Sequence, residues 1–205
     1  MQTIRVEYLM LFTGIDLAGV ETRPSGFAVL SKSLDARAMI LYSDADILRR
    51  VSCFKPVVVA IDAPLSLPRG RVSLDIRSSI HLRECDRELL RRGIRFFPVT
   101  LGPMRSLTKR GIDLKKRLES LGFKVIEVYP GGAQDILGIP RKSLGVERLR
   151  KGLARLKIRG LKDVKTHHEL DAVTAALVAK MFHDGNYEAY GDPEEGCIIM
   201  PRKKS

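Results

Sequence analysis

Two aspartates close the most apolar short segments of the chain. Asp16 ends YLMLFTGID (8–16), and Asp62 ends PVVVAID (56–62). Apolar strands that finish in an acid deliver carboxylates to one edge of a sheet, where open α/β folds place ligands. Strand-end aspartates also cap turns, so position alone does not separate the two roles. A third aspartate, Asp171, stands in THHELDAVTAALVAKMF (166–182). On a helical wheel Leu170, Thr174, Leu177 and Met181 centre the apolar stripe, and Asp171 shares its flank with Val178 and Phe182. An unpaired charge buried there costs several kcal/mol, while a helix N-terminus returns only ~0.3–1 kcal/mol. A metal ion or a salt bridge to an arginine would satisfy it. Glu169 follows Thr166 by three residues in a capping-box pattern, and it is near enough to serve as a fourth metal ligand. Glu127 sits in FKVIEVYP, where alternation groups it with Val125 and Tyr129; it points at a site or at solvent.

Hard carboxylates without a His or Cys cluster select Mg²⁺ or Mn²⁺ over Zn²⁺. His167 and His168 stand together at a helix start, with no i, i+4 pair. Nucleophilic catalysis finds no support: G-x-S-x-G is absent, as are a Walker loop and G-x-G-x-x-G. Cys85, in HLRECDRELLRRG, reads as a half-buried helix cysteine beside Arg83 and Asp86.

Charge is the other signal. The net +12 is concentrated: residues 69–118 carry +9, residues 141–165 carry +8, and the remainder sums to −5. Two basic blocks on an otherwise acidic chain indicate a polyanionic partner, with ordinary solvated helix faces as the alternative. The candidate phosphate contacts are Arg83, Arg87, Arg91 and Arg92 in the first block, and Arg148, Arg150 and Lys151 in the second. One Asn, two Gln, 29% charged residues and 22 Arg against 14 Lys fit a thermophile.

The elements that must position these residues follow from periodicity. Segments 8–16, 26–31 and 37–43 read as an antiparallel meander joined by short turns. Asp44 caps a helix over 45–54, and 56–62 is a strand buried on both faces. Helices are expected over 76–92 and 104–121, and a strand over 123–130. PGGAQDILGIP is a loop with at most one helical turn; helices follow over 144–157 and 166–182, then a short edge strand over 196–201. The order β-β-β-α-β-α-α-β-α-α specifies a mixed five-stranded α/β sheet, three antiparallel strands then two parallel, with helices on both faces. The 205 residues read as one domain, 1–205, with a helical insertion around 65–121. A chain of this size buries ~70% of its unfolded surface and needs no disulfides. Three scattered cysteines, no apolar run near ~18 residues and a polar N-terminus, MQTIRVEYLM, describe a soluble cytoplasmic protein without a membrane partner.

The meander, the βα units and the placement of the acids resemble the RNase H-like fold. More narrowly, TGIDLAG (13–19), AIDAPLSLP (60–68), RECDRELLRRGIRFFP (83–98), EVYPGGAQDILG (127–138) and HELDAVTAALVA (168–179) resemble the domain-of-unknown-function family 429 of predicted RNase H-like nucleases. The resemblance implies a metal-binding core of Asp16, Asp62 and Asp171, with Glu127 as a further acid. Many RNase H-like nucleases carry Glu on strand four, where this chain has the shorter Asp62. Residues before Leu9 have no counterpart, leaving Met1 and Met10 as alternative starts. The expected activity is metal-dependent phosphodiester hydrolysis in DNA or RNA, in which carboxylates hold two ions ~3.5–4 Å apart. A nucleic-acid-binding module that keeps the fold without catalysis is the alternative. A phosphotransferase of the actin-like ATPase kind needs two such lobes and a Gly/Thr-rich hairpin after the first Asp, whereas Asp16 is followed by Leu-Ala-Gly.

Overall fold

The computed structural model describes residues 10–203. Tyr8 and Leu9 of the first expected strand, and the choice between Met1 and Met10, lie outside the described residues. β1 (Leu11–Asp16), β2 (Ser25–Ser31) and β3 (Ala36–Leu41) form the antiparallel meander that alternation predicts. α1 (Asp44–Phe54) follows, capped by Ser43, one residue earlier than expected, whose hydroxyl accepts from Asp46 N at 3.1 Å. β4 (Val58–Asp62) returns parallel to β1, and β5 (Val125–Val128) lies parallel to β4.

The sheet is wider than five strands. Beyond β5 come β7 (Gly196–Pro201), parallel to it, and β6 (Tyr187–Asp192), antiparallel to β7, giving the order β3-β2-β1-β4-β5-β7-β6. Residues 196–201, expected at an edge, are therefore interior. Their cover, YEAYGD, escaped notice because only Tyr190 of its six residues is buried, as befits an edge strand.

The helices also depart locally from their pattern. α2 (Glu84–Arg91) starts eight residues later than expected. The preceding segment is irregular: Arg71 donates to the carbonyls of Ser73, Ile76 and Ile80, and Ser78 Oγ accepts from Ile80 N. α3 (Gly102–Ser120) lies within the 65–121 stretch yet packs on the sheet, with Leu114 and Leu118 against Val59 and Ile61. The expected loop after β5 is α4 (Pro130–Ile136), opened by Pro130 in the first turn, where its missing N–H has no cost. α5 (Val146–Arg155) and α6 (His167–His183) complete the set.

α1 and α3 cover one face, closing Ile47, Val51, Leu114 and Leu118 over Ile15, Phe27, Val59 and Ile61. On the other face α6 lies directly on the sheet, with Ala175 and Val178 against Phe12, Val58 and Ala60, and Ala133 of α4 beside them. Leu149 and Leu153 of α5 pack against Leu170, Val173 and Leu177. α6 is consequently buried on every side from Glu169 to Ala179 rather than along one stripe. Two glycines permit this contact. A Cβ at Gly14 would meet Ala172 O at 2.0 Å and Ala176 N at 2.3 Å, and one at Gly26 would meet His168 O at 2.0 Å. α2 instead covers the far end of the sheet, placing Cys85 and Leu89 on Tyr190, Ile198 and Met200.

Candidate active site

Pleating sets which carboxylates can meet. Phe12 and Gly14 face α6, so Asp16, two residues on, faces the same way. Val58 and Ala60 do likewise, which assigns Asp62 to the same face. Asp16 and Asp62 are directly paired in the parallel register at the strand ends. Because Gly14 and Gly26 bring α6 onto β1 and β2, the first turns of that helix arrive beside them. His168 Nδ1 lies 2.7 Å from Asp16 Oδ2, and Asp171 is 2% exposed.

The three aspartates share one electrostatic neighbourhood. Burial, then the charges of Asp16 and Asp171, push the Asp62 carboxyl well above the usual carboxylate range. Burial also raises Asp171, although Lys142 opposes it. The Asp171 carboxylate is satisfied on both oxygens: Gln134 Nε2 donates to Oδ1 at 2.8 Å, and Lys142 Nζ sits 2.7 Å from Oδ2. Its partner is thus a lysine, where sequence offered an arginine or a metal ion. Burial works against the Lys142 ammonium, yet Asp171 and Asp16 hold it above the ordinary lysine value.

Asp16, His167 and His168 bring three ligand atoms within 4.8 Å of one another. His167 Nδ1 is buried without a hydrogen-bond partner. Burial, with His168 and Lys142 nearby, lowers its pKa, which favours the neutral ring that ligates metals. This set fits a divalent ion: a hard carboxylate, two imidazoles and an orphaned ring nitrogen. Sequence reasoning passed over both histidines for want of an i, i+4 pair. The legible signal was His168–Asp171 at i, i+3 on a helix whose start is capped. Lys142 and Gln134 were also missed. Gln134 carried a flag of its own as one of two glutamines in the chain.

Glu169 is occupied as the capping-box residue. Its Oε2 accepts from Thr166 N at 2.9 Å and from Lys165 N at 3.1 Å, while its own N–H donates to Thr166 Oγ1. The capping bonds all fall on Oε2, and Glu169 is not in the compact donor group of Asp16, His167 and His168.

Glu127 approaches from the other face of the sheet, yet it borders the same cavity as Asp16 and Asp62 and its charge adds to the rise at Asp62. It pairs in register with Ile61, which faces α3, so the pleat turns Glu127 away from Asp16 and Asp62. Arg83 grips it with two bonds of 2.8 Å, and Leu65 N donates to it at 2.7 Å. Arg83 also chelates Asp86 and is 2% exposed. Against the cost of burial, Glu127 and Asp86 hold its guanidinium charged. Glu127 therefore reaches the site as the acid of an ion pair, and the expectation of Arg83 as a phosphate contact is corrected, since at 2% exposure it is an internal strut. Cys85 is fully buried, and burial pushes its thiol up, away from nucleophilic use.

The basic blocks divide similarly. In the first, Arg110 is buried on Asp44 Oδ1 at 2.9 Å and on the carbonyls of Ala18 and Tyr42. Arg87 and Arg91 pair with Glu84, and Arg92 pairs with Glu88 and Glu188 on an exposed face. In the second, Arg150 bonds Glu147 and the Val164 carbonyl, while Arg148 and Lys151 are exposed. Asp16, Asp62, Glu127 and Lys142 line a cavity of about 290 Å³, together with Phe96 and Tyr129. Among the described residues no helix is long and apolar enough to cross a membrane.

The family described as "Protein of unknown function (DUF429)" matches residues 14–195. No curated protein matches the chain by sequence. Among solved structures, Thermus thermophilus RuvC in complex with a Holliday junction substrate matches with a TM-score of 0.52 at 17% identity, covering 86% of this chain and 97% of that one. A further Thermus thermophilus RuvC structure matches with a TM-score of 0.50 at the same identity and coverage. At that identity the likeness shows the fold, which is the RNase H-like arrangement of mixed sheet and flanking helices.

Proposed function

The chain belongs to the DUF429 family, and on that footing we propose that it is a divalent-metal-dependent nuclease hydrolysing phosphodiester bonds in DNA or RNA. One observation carries the reading: Asp16, Asp62 and Asp171 come from two adjacent parallel strands and the helix laid across them, near enough that their charges raise the pKa of Asp62, with His168 bonded to Asp16. Three carboxylates gathered at such cost to one another serve no evident structural purpose.

Asp16, with His168 and His167, would hold a divalent ion, Mn²⁺ in preference to Mg²⁺ because two of the three donors are imidazoles, and the ion would supply an activated water and charge stabilisation at phosphorus. Asp62 is the acid left without a hydrogen-bond partner among the described residues, and with its raised pKa it is suited to exchange a proton with the attacking water. Exposed Arg148 and Lys151 on α5 would hold the phosphate backbone without reading sequence. The RuvC likeness makes branched DNA the first substrate to try.

The test is a cleavage panel of Holliday junction, duplex, DNA–RNA hybrid and single strand, with Mg²⁺, Mn²⁺ or chelator. Cleavage that needs the ion and is lost in Asp16→Asn is the expected result. Nucleic-acid binding with no cleavage by wild type on any substrate would replace this reading with a non-catalytic binding module. The paired state of Glu127 is the observation that favours that second reading.

A further inference from the structure

Lys142 occupies a position that the nuclease reading reserves for metal. Its Nζ is 2.7 Å from Asp171 Oδ2 and lines the same cavity as Asp16 and Asp62. The other Asp171 oxygen is taken by Gln134, so an ion could coordinate this carboxylate only by displacing the ammonium or sharing an oxygen with it. The Lys142 side chain is half exposed, and what fixes its root is the neighbouring backbone. Its neighbour Arg141 donates from Nε to Asp135 Oδ1 at 2.8 Å and from Nη1 to Tyr129 Oη at 3.3 Å, pinning the loop to α4 and the end of β5. The compact donor group is a different set, Asp16, His167 and His168, although Lys142 is near enough to help lower the pKa of His167.

Charge balance then decides between one ion and two. Three aspartates offer three negative charges. Lys142 and one divalent ion neutralise them; Lys142 and two ions would leave an excess of two positive charges before substrate arrives. A lysine ammonium is a compact point charge of a kind that can stand in for a cation beside a phosphate.

We propose that Lys142 supplies the second cationic position of this centre, so that the protein takes one divalent ion, at Asp16, His167 and His168, in place of two. The proposal rests on the metal-dependent reading above and refines it. Lys142 orients Asp171 and faces the substrate phosphate, while the single ion sits on Asp16, His167 and His168.

Counting Mn²⁺ by calorimetric titration, with electron paramagnetic resonance of free Mn²⁺ as a second count, tests it on the full chain. Wild type should bind one Mn²⁺ per chain. Lys142→Met should bind two, because Asp171 and Asp62 are then released to hold a second. Lys142→Gln is the second neutral variant, kept in case Lys142→Met does not fold, and should behave alike. Two ions in wild type, or one ion in both wild type and the neutral variants, overturns the proposal while leaving the nuclease reading intact. No bound Mn²⁺ in wild type, together with no cleavage, overturns both.

Discussion

Replacing Gly14 with alanine adds one methyl group where β1 meets α6. That carbon would lie 2.0 Å from the Ala172 carbonyl oxygen, 2.3 Å from Ala176 N and 2.9 Å from Ala175 C. All three obstacles are backbone, so no side chain can swing aside. Restoring an ordinary contact of 3.4 Å requires α6 to retreat by about 1.4 Å. Overpacking of this kind costs typically ~1–3 kcal/mol and occasionally more, and a clash of main chain with main chain belongs at the upper end, near ~3 kcal/mol. For a chain of this size that corresponds to a fall of roughly 6–12 °C in Tm. The same retreat carries His168 and Asp171 away from Asp16, and ~1 Å of misplacement can cost ~10²-fold in rate. Thermal and urea unfolding of Gly14→Ala measure the first effect, and Mn²⁺ affinity the second. Gly102→Ala is the control, since a Cβ there meets nothing within 4 Å. If Gly14→Ala is as stable as Gly102→Ala and binds Mn²⁺ as wild type does, the argument that backbone contact fixes the site is wrong.

Arg83→Met removes the cation from a buried pair and should cost ~3–5 kcal/mol in urea unfolding; a loss under ~1 kcal/mol would refute its role as a strut between Glu127 and Asp86. The Asp62 carboxyl has a raised pKa in the folded chain, so the native state holds that proton more tightly than the unfolded one. This preference is complete below the unfolded value of ~3.9 and is lost as pH rises through the folded value. Asp62→Asn should therefore melt higher than wild type at pH 8 in chelator, with the gain fading toward pH 4; equal melting at pH 8 contradicts the shift. Charge reversal at both Arg148 and Lys151 should weaken nucleic-acid binding on every sequence and lower the log–log salt slope by roughly 2. An unchanged slope would leave α5 a solvated face.

Sequence made the aspartates legible because each sits where an apolar pattern stops or is interrupted. Asp16 and Asp62 end strands that are buried but for Leu11 and Asp62 itself, and Asp171 breaks into a helix that has no exposed side from Glu169 to Ala179. Capping chemistry was equally readable, since Thr166 and Glu169 act within four residues of each other. Alternation groups Glu127 with Val125 and Tyr129 but does not say which face of the sheet they take; the pairing of Glu127 with Ile61 decides that, and its pairing with Arg83 was out of reach. Arg83 was hidden for a related reason. A charge count cannot tell a surface arginine from one whose partners arrive from Glu127, 44 residues away. His167, Lys142 and Gln134 converge from three separate elements, so no spacing rule within one element could reveal them. β6 was invisible because an edge strand with one buried residue lacks the two-residue rhythm.

The bed on which α2 rests has a consequence for how the chain acquires its shape. Cys85 and Leu89 lie on Tyr190, Ile198 and Met200, and Glu84 and Glu88 reach partners 111 and 103 residues downstream. During synthesis the helix emerges long before its supporting strands exist. Loop closure over such a span is slow relative to local helix formation. The meander and its first parallel partner can assemble early, while α2 waits with Leu89 uncovered until β6 and β7 arrive. The arm that carries Arg83 is thus the late-setting part of the molecule, and the interval before it sets is when the chain is most exposed to wrong partners.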